Sequence, residues 1–211
     1  MQKIIVVGAG AHSKVVLDVL QETQVYEIVG LVDDCACKSV FGIPVIGTDE
    51  DLQDLYDQGI RNAFVAIGSN QIREKVTKDV KEIGFNLVTI VSRNSIVSRY
   101  AKIGEGTIIM PGAVINADAN IGEGCIINTN ASVDHDCKIG AFTHIAPGCA
   151  ISGSTTIGRS SFLGTGCRVI DKLTLGSNLI VGAGATVVYD MPGDCTIVGT
   201  PARIIKNGKN I

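Results

Sequence analysis

The chain has 211 residues, 45% of them hydrophobic, with five Phe, four Tyr and no Trp, so any core is built from small and branched aliphatics. A formal net charge of −3 supplies neither a basic footprint for nucleic acid nor a polybasic patch for a membrane surface. No apolar run reaches the length of a membrane span, the apolar start at Met1 is too short for a signal peptide, and seven Cys without framework spacing point to a reducing cytoplasm.

Residues 1–88 read as an α/β unit. Lys3, Ile4, Ile5, Val6 and Val7 form a buried strand, followed by the Gly-rich turn Gly8, Ala9, Gly10, Ala11, His12 and Ser13. Val15, Val16, Val19 and Leu20 then give one apolar helical face. A second strand ends at Asp33 and Asp34, and a third, over residues 63–67, ends at Gly68 before a charged helix from about Gln71 to Ile83. This is βαβ wiring with a parallel sheet, whose ligands sit at the carboxyl ends of the strands. The turn matches the first two glycines of a dinucleotide fingerprint, with Ser13 in the third place. Asp33 stands at the distance for a ribose hydroxyl. Fewer than ninety residues make only half of a dinucleotide fold, so the unit suits a nucleotide-sugar better than a nicotinamide cofactor. A tight strand-to-helix turn without any ligand is the alternative. His12, at the helix start, either faces a phosphate or caps the turn.

Residues 89–192 carry a period of six. Val91, Val97, Ile103, Ile109 and every sixth residue to Val187 are Ile, Leu or Val. The fourth residue after each is small at most repeats, with Leu173, Leu179 and Met191 departing, and Gly often follows the aliphatic directly. Period six fits neither an amphipathic helix nor a two-faced strand. It fits a triangular coil with one short strand and one corner per hexad, the aliphatic inside, the small residue at the corner, and Gly relaxing the turn. Three hexads make a coil of eighteen residues, stacked at about 4.8 Å. Residues 193–211 are expected to form a C-terminal tail or cap.

The coil carries two of the three His. His135 sits at a corner of the second face, and His144, nine residues on, lies half a coil away. In one chain they point to opposite sides of the prism, so a shared site needs a neighbouring copy, with a trimer the natural choice for a three-sided prism. Asp136 or Asp134 can orient His135 as a general base, or the corner can be a plain solvated one. Cys125, Cys137, Cys149 and Cys167 occupy the small-residue slot and read as packing, not nucleophiles; Cys35, Cys37 and Cys195 lie outside it, without an assigned role. Acyl transfer from a coenzyme A thioester and a nucleotide-sugar-binding module without chemistry both fit these residues. A zinc enzyme of the carbonic anhydrase type needs three His on the metal, and the coil has two.

The residues resemble the bacterial sugar acetyltransferases of the sialic acid O-acetyltransferase and UDP-4-amino-sugar N-acetyltransferase group. The marks are the turn from Val6 to His12, Val32-Asp33-Asp34, the run from Ala66 to Arg73, Asn128-Thr129, Val133 to Asp136, His144, and the stretch from Val198 to Arg203. The resemblance implies a left-handed parallel β-helix behind a Rossmann-like domain, a homotrimer with active sites between subunits, and acetyl-CoA as cosubstrate without a metal. It implies a nucleotide-sugar held through Gly10, Ala11, His12, Asp33, Asp34 and Gly68. His135 matches the general base, Asp136 its acidic partner, and His144 the contact to the acetyl thioester. Gly164, Thr165 and Ala183 fall where the pantetheine arm would run. Ala11 departs from the Gly common there. N-acetylation of a UDP-4-amino-sugar and O-acetylation of sialic acid are both open at this point.

Overall fold

The computed structural model describes residues 1–35 and 37–208. The chain forms two compact units, Met1–Arg93 and Asn94–Ile211. Among the described residues no helix is long and apolar enough to cross a membrane.

The first unit runs β1 (Gln2–Val7), α1 (Ala11–Thr23), β2 (Tyr26–Val32), β3 (Ser39–Val40), β4 (Ile43–Gly47), a 3₁₀ turn (Asp49–Asp51), α2 (Leu52–Asp57), β5 (Asn62–Val65), α3 (Asn70–Ile83) and β6 (Asn86–Leu87). The strand order is β3-β4-β2-β1-β5-β6. β1 pairs parallel with both β2 and β5, and among the described residues of this unit only the β3–β4 pair is antiparallel. The chain builds outward from β1 to β4 and then returns to the other side of β1, which opens a crevice at the carboxyl ends of β1 and β5. Ile5, Val7, Val32, Ala63 and Val65 pack against Leu52, Leu55, Val76 and Val80 of α2 and α3 on one side of the sheet. α1 buries Ser13, Val16, Leu17, Val19 and Leu20. Val15, expected on that face, is 41% exposed, and Leu17 takes its place because the spacing 13, 16, 17, 20 keeps to one helical stripe. α1 ends in a left-handed cap at Gln24, α3 in one at Gly84, where the positive φ favours Gly.

The repeats form seventeen two-residue strands, from β7 (Ile90–Val91) to β23 (Thr186–Val187). Every third strand joins the same sheet, so three parallel sheets form the faces of a left-handed β-helix. The first face carries Ile109, Ile127, Ile145, Leu163 and Val181; the second carries Ile115, Val133, Ile151, Val169 and Val187; the third carries Ile121, Ile139, Ile157 and Leu175. These side chains are at most 3% exposed and share one core. The frame begins less tightly than the period suggests. Ile90 is buried and Val91 is 38% exposed, and this strand belongs to the first unit, where Ser92 Oγ donates to Glu22 Oε2 at 3.1 Å. Val97 and Ile103, in the opening turns of the second unit, are partly buried.

The small slot does more than fit a corner. Its hydroxyls and thiols donate to the carbonyl fifteen residues ahead: Thr107 to Gly122, Cys125 to Gly140, Cys137 to Ser152, Thr143 to Gly158, Cys149 to Gly164, Thr155 to Ile170 and Ser161 to Gly176, over 2.9 to 3.2 Å. A small side chain with one donor therefore fills the corner and satisfies a buried carbonyl. Burial raises the Cys137 thiol further from thiolate, which agrees with a packing role for that cysteine.

The glycines act differently from the expectation that they relax the turn. The left-handed backbone falls three residues after each aliphatic, at every sixth position from Gly106 to Gly184, and is taken by Asp118, Asn130, Asp136, Phe142, Ser154 and Lys172 as well as by Gly. The Gly directly after the aliphatic is set by close approach. A Cβ on Gly122 would lie 2.6 Å from Ala141 N, and one on Gly104, Gly140 or Gly158 would press still harder on the backbone one coil ahead. These positions repeat every eighteen residues, so one edge of the prism is a column of glycines.

The coil ends where the frame slips. Met191, the departure from a small residue, bridges Leu175 and is partly buried against the core. β24 (Cys195–Val198) pairs parallel with the strand at Ile180–Val181 and antiparallel with β25 (Arg203–Asn207). Ile197, Cys195 and Ala202 close the core, so much of the expected tail is a structured end of the coil. Lys209, Asn210 and Ile211, within that tail, lie outside the described residues.

Gly140→Ala is expected to destabilise the protein by about 1–3 kcal/mol, the usual cost of forcing extra volume into a packed site. Equilibrium urea denaturation measures it, with Gly68→Ala as the control, since a Cβ at Gly68 meets only His12 Cβ, at an ordinary 3.9 Å.

Candidate active site

His135 stands at the corner after Val133, one residue before the left-handed Asp136 (φ 59°). Its Nδ1 lies 2.8 Å from Asp136 Oδ2. A carboxylate accepts, so Nδ1 carries the proton and Nε2 presents a lone pair. The ring lies over Gly153, one coil ahead: a Cβ there would come within 2.7 Å of Cε1 and Nε2. The imidazole thus occupies the space that a side chain at position 153 would fill. The backbone is held as well. Asp134 Oδ1 accepts from His135 N at 2.8 Å and from Asn116 Nδ2, one coil back, at 2.8 Å. Those donors lower the Asp134 carboxyl below its ordinary range. The hydrogen bond to Asp136, with the charge of Asp134 next, raises His135 above the ordinary histidine value. Both candidate acids therefore touch His135, in different ways: Asp136 binds the ring and Asp134 the main chain.

His144 points outward from the first face, between Ile126 and Phe162 in neighbouring coils. Asn128 Oδ1 accepts from Thr129 N at 2.8 Å, which turns its amide nitrogen toward His144 Nε2 at 3.0 Å. Nε2 is then the acceptor, and Nδ1 carries the donor proton. The Phe162 ring meets the imidazole edge-on, with centroids 5.2 Å apart. Gly164 is buried in the same face, while Thr165 and Ala183 are exposed at its corner, one coil apart. The structure therefore gathers His144, Gly164, Thr165 and Ala183 on one face and its edge. His135 and Asp136 lie at the corner after the second face.

In the first unit the predicted binding residues collect at the carboxyl ends of β1, β2 and β5. Gly8 (φ 108°) turns the chain, and its open side faces Ala66 O, 3.1 Å from where a Cβ would stand. Gly10 caps α1. Ala11 is the first helical residue and exposed; Ala is a good helix former, so its departure from Gly costs the turn nothing. Ser13 is fully buried and returns its hydroxyl to Gly10 O at 2.7 Å, where the fingerprint has its packing glycine. Asp33 accepts from Ala9 N at 2.6 Å and from Cys35 N at 2.7 Å, stitching the Gly-rich turn to the end of β2. Asp34 is exposed beside it. Burial, and then the charges of Asp34 and Asp33, raise Asp49 above the ordinary carboxyl range.

His12 Nε2 is buried without a hydrogen-bond partner, and Gly68 lies opposite, 3.9 Å from His12 Cβ to a would-be Cβ. Burial, with the charge of Arg73 second, pushes His12 down to about 4, so it is neutral at ordinary pH. Residue-by-residue reading left Arg73 without a role, although its motif was part of the resemblance. The guanidinium is 1% exposed and donates to Ile67 O at 3.0 Å, Gly68 O at 3.1 Å and Asn70 Oδ1 at 2.8 Å. An Arg in the first turn of a helix, after a Gly-Ser pair, was the available signal.

Cys35 and Cys37 form a disulfide, contrary to the expectation of reduced thiols throughout. Cys125, Cys137, Cys149, Cys167 and Cys195 are buried and outside any disulfide. Cys195 donates to Pro192 O at 3.3 Å, a closing role at the coil's end. Among the described residues no group of three or more His, Cys, Asp or Glu is placed to hold a metal.

A Gly-rich α/β unit followed by a hexapeptide coil with a carboxylate-held outward His defines a class of acyltransferases, and comparison with known proteins agrees. Residues 3–80 match the PglD N-terminal domain, and residues 100–135 and 118–153 match the bacterial transferase hexapeptide repeat. The acetyltransferase domain of PglB from Neisseria gonorrhoeae is 39% identical and superposes with a TM-score of 0.94, over 97% of this chain and 100% of that one. PerB from Caulobacter crescentus, solved with CoA and GDP-perosamine, is 41% identical with a TM-score of 0.93, over 97% of each chain. GDP-perosamine N-acetyltransferase of Escherichia coli O157:H7 is 31% identical over 110 residues. The match spans about half the length of that curated relative, 49%. The chain belongs to the sugar acetyltransferases of the hexapeptide-repeat superfamily.

Asp136→Asn removes the main cause of the raised His135 value. The His135 titration, followed by NMR of the imidazole carbons, is expected to move down toward the ordinary 6.5 or so, with the Asp134 titration changed little.

Proposed function

We propose that the protein transfers the acetyl group of acetyl-CoA to the amine of a nucleotide-linked amino-sugar, by direct attack and with His135 as general base. The observation that carries this reading is the 2.8 Å contact between His135 Nδ1 and Asp136, which leaves Nε2 as the acceptor on an exposed corner. The solved relatives with CoA and GDP-perosamine and with acetyl coenzyme A supply the substrate classes.

The amine nitrogen attacks the acetyl carbonyl carbon while Nε2 of His135 takes the amine proton. Asp136 stabilises the imidazolium that forms. The carbon–sulfur bond then breaks, and the imidazolium returns its proton to the coenzyme A thiolate. His144, its Nε2 held by Asn128 and its Nδ1 buried, orients the acetyl group of the thioester. The pantetheine arm runs past Gly164, Thr165 and Ala183. No acyl-enzyme forms, in keeping with cysteines whose thiols are spent on corner carbonyls.

Because His135 and His144 belong to different faces, the site is completed between subunits of a homotrimer. The sugar nucleotide is held by the first unit at Gly10, Ala11, His12, Asp33, Asp34 and Gly68, with a uridine diphosphate as the first choice and a guanosine diphosphate as the competitor its relatives suggest.

His135→Ala is expected to lower turnover by about 10²–10⁴-fold, the usual worth of a general base, while acetyl-CoA still binds in calorimetry. Near-normal turnover in this variant would refute the base. Thiol release with UDP- and GDP-linked 4-amino-sugars and with free sialic acid as acceptors tests the substrate; acetylation of sialic acid alone would overturn the nucleotide-sugar reading. Mixing His135→Ala with His144→Ala chains is expected to restore part of the activity that each lacks, since a mixed trimer holds some intact interfaces. Lack of any recovery in trimers shown to mix would place the site within one chain.

A further inference from the structure

We propose that Arg73 is the electrostatic positioning residue of the nucleotide site: its buried guanidinium supplies the fixed positive charge that selects a diphosphate. The proposal rests on the reading that the first unit binds a nucleotide-sugar.

Two observations carry it. The first is placement against cost. Arg73 lies in the first turn of α3, where a cation opposes the helix dipole, and it is 1% exposed, where a charge loses its hydration. A chain selected for stability alone has little reason to keep a cation there. The fork is spent on the carbonyls of Ile67 and Gly68 and on Asn70, which fixes the loop between β5 and α3. That loop is one wall of the crevice, with Gly68 facing His12.

The second is the division of charge across the crevice. The amino ends of α1 and α3 both open at the carboxyl ends of adjacent strands, β1 and β5, and Arg73 lies at the second of them. The acids Asp33, Asp34 and Asp49 gather instead at the ends of β2 and β4. The positive side suits phosphate and the acidic side suits ribose hydroxyls. His12, buried and neutral, offers a hydrogen bond without a charge. Lys75, farther along α3, acts electrostatically on Asp49 of the acidic side, and Arg73 is the cation of that helix whose placement the hydrogen bonds define.

Arg73→Lys keeps the charge and loses the planar fork; Arg73→Met loses both. Binding of UDP, GDP and the phosphate-free nucleosides uridine and guanosine to the full chain is measured by calorimetry, with acetyl-CoA as a second ligand. Arg73→Met is expected to lower the preference for each diphosphate over its nucleoside at least tenfold and to leave acetyl-CoA affinity within twofold. Arg73→Lys is expected to weaken nucleoside and diphosphate alike and to keep most of that preference. A loop-folding role alone would lower all nucleotides equally in both variants, and an unchanged preference in Arg73→Met overturns the proposal; if that variant does not fold, a preference in Arg73→Lys that salt does not reduce overturns it. Ala11→Glu tests the parent reading separately. Glu in the first turn of α1 favours the helix but repels phosphate, so undiminished UDP and GDP binding there would remove the nucleotide site itself.

Discussion

The coil depends on one constraint: each turn of eighteen residues must lie close enough to the next for its backbone amides to pair. The N–H of Ser98 donates to Ile115 O, that of Asn116 to Val133 O, that of Asp134 to Ile151 O and that of Ser152 to Val169 O, all between 2.8 and 3.0 Å. A spacing of about one strand width leaves no room for a side chain where the corner bends inward. The glycine column from Gly104 to Gly176, the small residues and the donor on each small side chain are consequences. So is the position of His135. Its ring can lie flat over the next coil because Gly153 has no side chain to exclude it.

The His135 corner and the crevice of the first unit solve their electrostatics in opposite ways. At the corner the groups are exposed, and direct contacts set the protonation state: Asp136 on the ring, and Asp134, braced by Asn116, on the main chain. In the crevice burial dominates. It holds His12 neutral and places a cation, Arg73, behind the loop. The first arrangement favours a group that exchanges protons; the second favours one that only binds.

Much of the coil was legible in the residues because its signal repeats. A period of six with an aliphatic in each hexad has few physical solutions, and the eighteen-residue sum placed His135 and His144 on different faces. The role of glycine was misread for a clear reason. Composition shows that a Gly is required but not whether its backbone angle or its missing Cβ is needed. The φ values separate the two: Asp136, Phe142 and Lys172 adopt the left-handed corner, so that conformation did not demand Gly. The apolar face of α1 was misplaced by one residue, at Val15, because four neighbouring aliphatics allow more than one stripe.

By itself the sequence determined the period, most of the core aliphatics, the two-unit order and the histidines and acids that are candidates for chemistry. Those properties are local or periodic, and hydrophobic spacing encodes them directly. Only the tertiary structure decided which acid binds the His135 ring, that Asn128 fixes the tautomer of His144, that Asp33 ties the Gly-rich turn to β2, and that Arg73 is buried beside His12. Each of these is a contact between residues whose neighbourhood depends on how coils stack or strands order, and the direction of one hydrogen bond is not written in the spacing of its partners.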